Sequence, residues 1–282
     1  MKKICIVSPH LDDAILSCGV LMQRHVAASD EVSVLNIFSA GTNSENRKQE
    51  DLLAQKQIGA SPFYLDELDA PDRNSKYKPL KNLFFSPLTT EDESYIDQLG
   101  KRLSDFFSLN KVEIAYFPLA AGTHIDHRIA FEVGKRIKTV PVKFYEDRPY
   151  ILWPGVLQSR MQQIGSNAAL PPVTGQMMRE SINSYYYLRH FVPDTGNYRR
   201  EALSLYVAAL NQESSAAFKA SGDVLIATAA ELRKLHACLC LYTSQMKYIY
   251  KDYDNFIRDS FAYERTISGR DVYAERSWTI GF

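Results

Sequence analysis

Short apolar runs alternate with longer, helically spaced stretches through the first half of the chain. Lys3-Ile4-Cys5-Ile6-Val7 is continuous and β-branched, so it reads as a buried strand. From about Asp13 to Ala27 the spacing predicts a helix, which Ser29-Asp30-Glu31 breaks. Val32 to Phe38 reads as a second strand. Glu45 to Gly59 reads as a helix with Leu52, Leu53 and Ile58 at its apolar positions and Gly59 as C-cap. Phe63-Tyr64-Leu65 is a short third strand. Asp66 to Thr90, charged and Pro-containing, reads as a long loop of the kind that usually carries function. Glu91 to Leu109 sets Tyr95, Ile96, Leu99, Leu103, Phe106 and Phe107 on one helical face. Val112 to Pro118 is a fourth strand, Arg128 to Lys138 a helix and Pro141 to Tyr145 a fifth strand. This βαβα alternation predicts a Rossmann-like, doubly wound, mostly parallel α/β sheet.

After Tyr150 the pattern changes. Gly155 to Gly196 holds Pro171-Pro172 and Tyr185-Tyr186-Tyr187 with poor periodicity. Arg200 to Leu210 and Ala229 to Tyr250 have helical spacing, and the tail from Phe261 to Phe282 alternates charged and aromatic residues. The expectation is one domain over 1–282. Its α/β core, 1–150, carries the site, and a largely helical extension, 151–282, packs on the sheet as a wall of the cleft. Core or interface packing is the plainer reading of the Tyr185 to Tyr187 run, and sugar stacking the sharper one.

Composition narrows the classes. The 282 residues carry a formal net charge of zero, and charged residues make up 23%, so no nucleic-acid partner is expected. No apolar run approaches the roughly 20 residues that span a bilayer. Met1-Lys2-Lys3 is basic, but the apolar run after it has only a strand's length, so no signal peptide is read. Cys5, Cys18, Cys238 and Cys240 form no Cys-x-x-Cys pair. They read as free thiols in a reducing compartment, and a cytoplasmic location is expected.

The chemistry gathers at strand ends. Ser8-Pro9-His10-Leu11-Asp12-Asp13-Ala14 is a strand-to-helix turn, where open α/β sheets bind ligands. A helix N-cap would explain one Asp there, but not His-x-Asp-Asp. Thr123-His124-Ile125-Asp126-His127 follows the fourth strand at the same sheet end, and Gly41 to Asn43 and Glu146-Asp147 end two further strands. Two imidazoles and a carboxylate suit catalytic Zn²⁺ with a fourth position for water. The ion would lower the pKa of that water, a neighbouring carboxylate would take its proton, and a cationic imidazole would stabilise an oxyanion or protonate a leaving amine. His10, Asp13 and His127 are the candidate ligands and Asp12 the candidate base. His124 is the candidate oxyanion partner, and Asp126 would hold an imidazole from behind. That set suffices to hydrolyse an amide.

Pro9-His10-Leu11-Asp12-Asp13-Ala14 followed by His124-Ile125-Asp126-His127 resembles the LmbE/PIG-L family of zinc-dependent N-deacetylases. Arg47-Lys48-Gln49-Glu50 with Ile58-Gly59-Ala60, and Lys234-Leu235-His236-Ala237 with Tyr242-Thr243-Ser244-Gln245, add weaker likenesses. Ile125 stands where Pro is common in the family. The resemblance implies removal of an N-acetyl or other N-acyl group from an amino sugar or its conjugate. It also implies Zn²⁺, with Fe²⁺ or Co²⁺ as alternatives, a small-molecule partner and room for a homo-oligomer. It repeats the ligand, base and oxyanion roles above and makes Arg47 a substrate contact. Asp69 and Asp72 lie in the long loop, which could close on a sugar hydroxyl; Asp72 is taken as a second substrate contact. The competing readings are a hydratase or an Fe²⁺ oxygenase on the same frame and a non-catalytic sugar-binding relative. A nucleotide-binding protein is disfavoured, because no Gly-x-Gly-x-x-Gly follows the first strand and the carboxylates there would repel phosphate.

Overall fold

A computed structural model of the chain describes residues 1–190, 195–211 and 218–282. The first half runs β1 (Lys3–Ser8), α1 (Asp13–Ala27), β2 (Glu31–Asn36), α2 (Ser44–Ile58), β3 (Ser61–Tyr64), α3 (Ala70–Arg73), α4 (Leu80–Phe85), α5 (Thr90–Asn110), β4 (Ile114–Pro118), α6 (Ile125–Arg136) and β5 (Val142–Tyr145). Then come α7 (Val156–Gln163), α8 (Gly175–Ser181), α9 (Tyr186–His190), α10 (Thr195–Leu210), β6 (Ala220–Ile226), α11 (Ala229–Leu239), α12 (Thr243–Ile249), α13 (Tyr253–Ser268) and β7 (Ala274–Ile280).

The seven strands form one sheet in the order β3-β2-β1-β4-β5-β7-β6. The first five are parallel, as the alternation predicts. The chain runs outward from β1 in one direction and from β4 in the other, and with crossovers of the usual hand this places helices on both faces. On one side α1 packs against α2 and α11, and elsewhere α5 packs against α6. The loops after β1 and β4 part at the point where the order reverses, and that parting opens a crevice at the strands' carboxyl ends. The two histidine motifs are the two lips of this crevice.

Several elements differ from the sequence reading. The extension is not purely helical: β7 pairs antiparallel with β5, and β6 with β7. β6 is an exposed edge strand with Ser221, Gly222 and Asp223 inside it, so its strand signal is weak. The long loop is folded into α3 and α4. α6 begins at Ile125, earlier than Arg128, so Asp126 and His127 lie in its first turn. The helix read over Ala229 to Tyr250 breaks between α11 and α12. The poorly periodic stretch after Gly155 holds three short helices, and its part at 191–194 lies outside the described residues. In α2, Leu52 and Leu53 are exposed, while Glu50, Asp51 and Gln55 are buried beside Ala54 and Ile58. Tyr185 and Tyr187 are buried, and the Tyr187 hydroxyl donates to the Tyr150 carbonyl at 3.2 Å, which is core packing. Among the described residues, no helix is long and apolar enough to cross a membrane.

Candidate functional site

The β1–α1 turn is built so that its aspartates are not caps. Ser8 does the capping: its Oγ accepts from the Ala14 N–H at 3.0 Å and donates to the His10 carbonyl at 2.6 Å. Asp12 occupies the N-cap position but makes no side-chain capping bond. Its carboxylate is free for other work and lines the crevice. Asp13 accepts from the His10 N–H at 2.8 Å, which folds the turn back on itself.

The second lip is held from behind. Asp147, just after β5, accepts from the Ala121 N–H at 2.7 Å, and Arg160 Nε donates to the Leu119 carbonyl at 2.7 Å. The Tyr206 hydroxyl donates to the Ala121 carbonyl at 3.1 Å. Gly122 is needed for close approach, because a Cβ there would lie 2.1 Å from Tyr150 Cγ. His124 caps α6: its Nδ1 accepts from the Asp126 N–H at 3.2 Å.

Three predicted ligands meet. Asp13 Oδ2 lies 3.3 Å from His10 Nδ1 and 3.2 Å from His127 Nε2. The far nitrogen of each imidazole faces a carboxylate. His10 Nε2 is 3.3 Å from Asp126 Oδ2, and His127 Nδ1 is 3.1 Å from Asp147 Oδ1. Asp126 is itself fixed, accepting from the Ala70 N–H at 2.9 Å and from the Arg73 guanidinium at 2.6 Å. Arg73 lies over the rings of Phe38 and Tyr95 and donates to the Leu68 carbonyl. Carboxylate–imidazole arms of this kind orient metal-binding histidines. His127 Nε2 is buried without an aligned hydrogen-bond partner, although Asp13 is close. A buried nitrogen left unmatched costs about 1–3 kcal/mol, and a cation between it, His10 Nδ1 and Asp13 would remove that cost. The donor set fits a divalent metal.

The electrostatics agree with that geometry. Burial pushes the His10 imidazole down, but Asp69, Asp126 and Asp13 outweigh it and hold it well above its usual range. Burial likewise disfavours charged His127, but Asp13 and Asp147 lift it to about 9. Asp13 is driven the other way: His127 and His10 overcome its burial and hold its carboxyl far below the carboxylate range. Asp126 falls to about 2, because His10 and Arg73 outweigh burial. Asp12 differs from both. Burial raises it, and Arg47, 3.5 Å away, offsets this only partly. Burial, with His10 and His127 adding to it, pushes His124 well below its ordinary value. The imidazole expected to be cationic is therefore held neutral, with Nδ1 occupied as an acceptor.

The cleft has a volume of about 220 Å³. Asp12, Asp13, His10, His124, Arg47 and Asp69 face it, and Leu80, Leu83, Phe84, Tyr150 and Ile249 form an apolar side. Asp126 and His127 are fully buried behind this lining. Asp72 does not line it; its Oδ2 accepts from the Thr42 N–H at 2.6 Å and from Thr42 Oγ1 at 3.0 Å. Asp69, from the same loop, lines the cleft, with Oδ1 3.5 Å from His10 Nε2. The sequence reading missed the work of Asp147, whose signal was only an acidic pair after a predicted strand. It also missed Gln245 and Ile249, which reach the cleft from α12.

An imidazole–carboxylate cluster at the switch point of a parallel sheet places the chain among the α/β proteins that carry their chemistry on strand-end loops. Residues 5–138 match the PIG-L family model, described as GlcNAc-PI de-N-acetylase. The fold of the chain is shared with a deacetylase–teicoplanin complex from teicoplanin biosynthesis, at 15% identity, 99% of this chain, 98% of that chain and a TM-score of 0.67. The A40926 pseudoaglycone deacetylase aligns at 16% identity, 99% and 96% coverage and a TM-score of 0.64. N,N'-diacetylchitobiose deacetylase from Pyrococcus horikoshii aligns at 13% identity, 99% and 84% coverage and a TM-score of 0.50. At such identities the likeness establishes the fold. None of the curated proteins matches the chain in sequence.

Proposed function

We propose that this protein is a metal-dependent N-deacetylase of an N-acetylated amino sugar or its conjugate. The observation that carries this reading is the pair of arms, Asp126–His10 and Asp147–His127, converging on Asp13 beside a cleft-facing Asp12 that neither caps a helix nor joins the ligand triad. The family-model match over residues 5–138 supports the same reaction class.

His10, Asp13 and His127 would hold the cation, Zn²⁺ by default and Fe²⁺ or Co²⁺ as alternatives. When bound, the ion supplies Lewis acidity and draws the pKa of water down to about 7. Asp12 accepts the proton of the attacking water, and its burial keeps the carboxyl basic enough to do so. His124, with Nδ1 engaged by the Asp126 N–H, carries its proton on Nε2 and directs it as a hydrogen bond at the amide oxygen as negative charge develops. Asp12 then returns its proton to the departing nitrogen. The C–N bond breaks, and acetic acid and the free amine leave. Arg47, beside Asp12, faces the sugar. Asp72 acts on the substrate side through the loop that it holds at Thr42.

The test is acetate release from a panel of N-acetylated amino sugars by Zn²⁺-loaded and chelator-stripped protein. Metal-dependent release from at least one member is expected. No release at full metal occupancy would overturn the reading.

A further inference from the structure

We infer that Arg73 is a positioning residue for the metal. It acts through Asp126 on His10, and so ties the loop that lines the cleft to the cation. The inference rests on the metal site proposed above and not on the identity of the acyl substrate.

The arrangement begins with an ambiguity at His10. Its Nε2 faces two carboxylates, Asp126 Oδ2 at 3.3 Å and Asp69 Oδ1 at 3.5 Å. One imidazole N–H makes one well-aligned hydrogen bond. A turn of the ring toward either carboxylate moves Nδ1 with it, and Nδ1 is the atom 3.3 Å from Asp13 Oδ2. The choice of carboxylate behind the ring therefore aims the nitrogen in front of it.

Arg73 makes that choice. Its guanidinium donates to Asp126 Oδ1 at 2.6 Å, while the Ala70 N–H and His10 Nε2 share Oδ2. Both oxygens of Asp126 are held, and the residue is fully buried. Asp69 has no such anchor: its Oδ1 is buried without an aligned hydrogen-bond partner, and the residue lines the cleft. With Arg73 in place, Asp126 is the fixed acceptor and Asp69 is left to the cleft.

The arginine is itself rigid. The other arm of its fork donates to the Leu68 carbonyl at 2.7 Å. Its Cζ lies 4.9 Å from the centre of the Phe38 ring and 5.3 Å from that of Tyr95. The Tyr95 hydroxyl is tied in turn to Glu67 at 2.7 Å. A planar guanidinium serves two acceptors and two ring faces at once, which a lysine ammonium cannot. One short turn thus carries both functions: Asp69 precedes α3 and faces the cleft, and Ala70 and Arg73 within α3 hold the metal arm. By linkage, whatever orders this turn tightens the cation, and the cation orders the turn.

The experiment measures Zn²⁺ affinity by competition with a chelating dye in the wild type, Arg73→Met, Asp126→Asn and the double variant. Methionine keeps a stem over the two rings and removes every donor. Arg73→Met is expected to weaken Zn²⁺ about tenfold. In the Asp126→Asn background the same change is expected to cost less than about threefold, because its route is already cut. The Co²⁺-substituted Arg73→Met protein is expected to show a shifted d–d band, which a variant that merely folds less well would not. Should Arg73→Met not fold, Arg73→Lys, which keeps the cation and loses the fork, is read in its place, with a loss of about threefold or more expected. Unchanged affinity or an unchanged Co²⁺ band would overturn the inference and leave the metal site standing. So would a loss as large in the Asp126→Asn background as in the wild type. A wild type that binds no Zn²⁺ would remove the metal site, and the role of Arg73 with it.

Discussion

The side chains of the turn at His10 to Asp13 have separable roles. Asp13 lies between two imidazoles and is held far below its ordinary pKa, whereas Asp12, one residue away, is raised by burial. The first suits a ligand and the second a base. Asp12→Ala should therefore bind Zn²⁺ as the wild type does and lose turnover by about 10²–10⁴-fold, checked by metal content alongside acetate release. Asp147 touches no substrate-facing atom and holds His127 Nδ1. Asp147→Asn should weaken Zn²⁺ about 10–100-fold, read by competition against a chelating dye; unchanged affinity would remove Asp147 from the metal arm. At this scale the sequence was informative where a motif concentrates unusual residues, as in His-x-Asp-Asp. It was uninformative where a residue acts through a tertiary partner. Asp147 and Asp69 look like ordinary loop acids until the sheet brings them to His127 and His10. Asp72 was read as a substrate contact, but its carboxylate is spent on Thr42.

The periodic helices and the buried strands could be read from spacing alone, because each buries an apolar face. α2 shows where that logic fails. Its leucines at 52 and 53 face out, and its buried face carries Glu50 and Asp51. Asp51 is buried because four donors reach it: Tyr242 hydroxyl at 2.7 Å, Tyr64 hydroxyl at 3.0 Å, Gln55 at 3.1 Å and Asn36 at 3.2 Å. Glu50 is buried because it grips Thr243 and Ser244. A helical wheel scores these carboxylates as solvent-facing, so only the partner helix explains them. The Glu50 grip has a pH signature. Burial alone would raise its pKa, but the bonds from Thr243 and Ser244 hold it below its ordinary 4.5. The folded state then binds fewer protons than the unfolded one, so the stabilisation is full above pH 4.5 and is lost as pH falls through the lowered value. Glu50→Gln should cost about 1–2 kcal/mol at neutral pH. The gap from wild type should close in acid, as followed by denaturant midpoints across pH. A gap independent of pH would show that the charge is not what holds α12.

Across the whole molecule, the reversal of strand order between β1 and β4 brings distant motifs together, and the βαβ alternation made that reversal foreseeable. The closing of the sheet by the C-terminal strands was not foreseeable, since Ser221, Gly222 and Asp223 interrupt β6, which lies exposed at the sheet edge, and β7 reads as a charged tail. β7 is secured by buried charge. Arg276 pairs with Glu264 of α13 and lies 3.7 Å from Glu146 at the end of β5. Glu146 also accepts from the Tyr263 hydroxyl at 2.8 Å and from Trp278 Nε1 at 3.1 Å. Removing the cation would strand two buried carboxylates, so Arg276→Ala should cost about 3–5 kcal/mol, measured by chemical denaturation. A cost below about 1 kcal/mol would mean that packing alone holds the strand. This network anchors the C-terminal half to the sheet, and α12 supplies Gln245 and Ile249 to the cleft.

The account stands on the meeting of His10, Asp13 and His127 as a metal site. The most direct measurement is the number of Zn²⁺ equivalents bound per chain at equilibrium, in the wild type and in Asp13→Ala. One tightly bound equivalent in the wild type and none in the variant is the predicted result. A wild type that binds none, or an Asp13→Ala protein that binds as the wild type does, would contradict it.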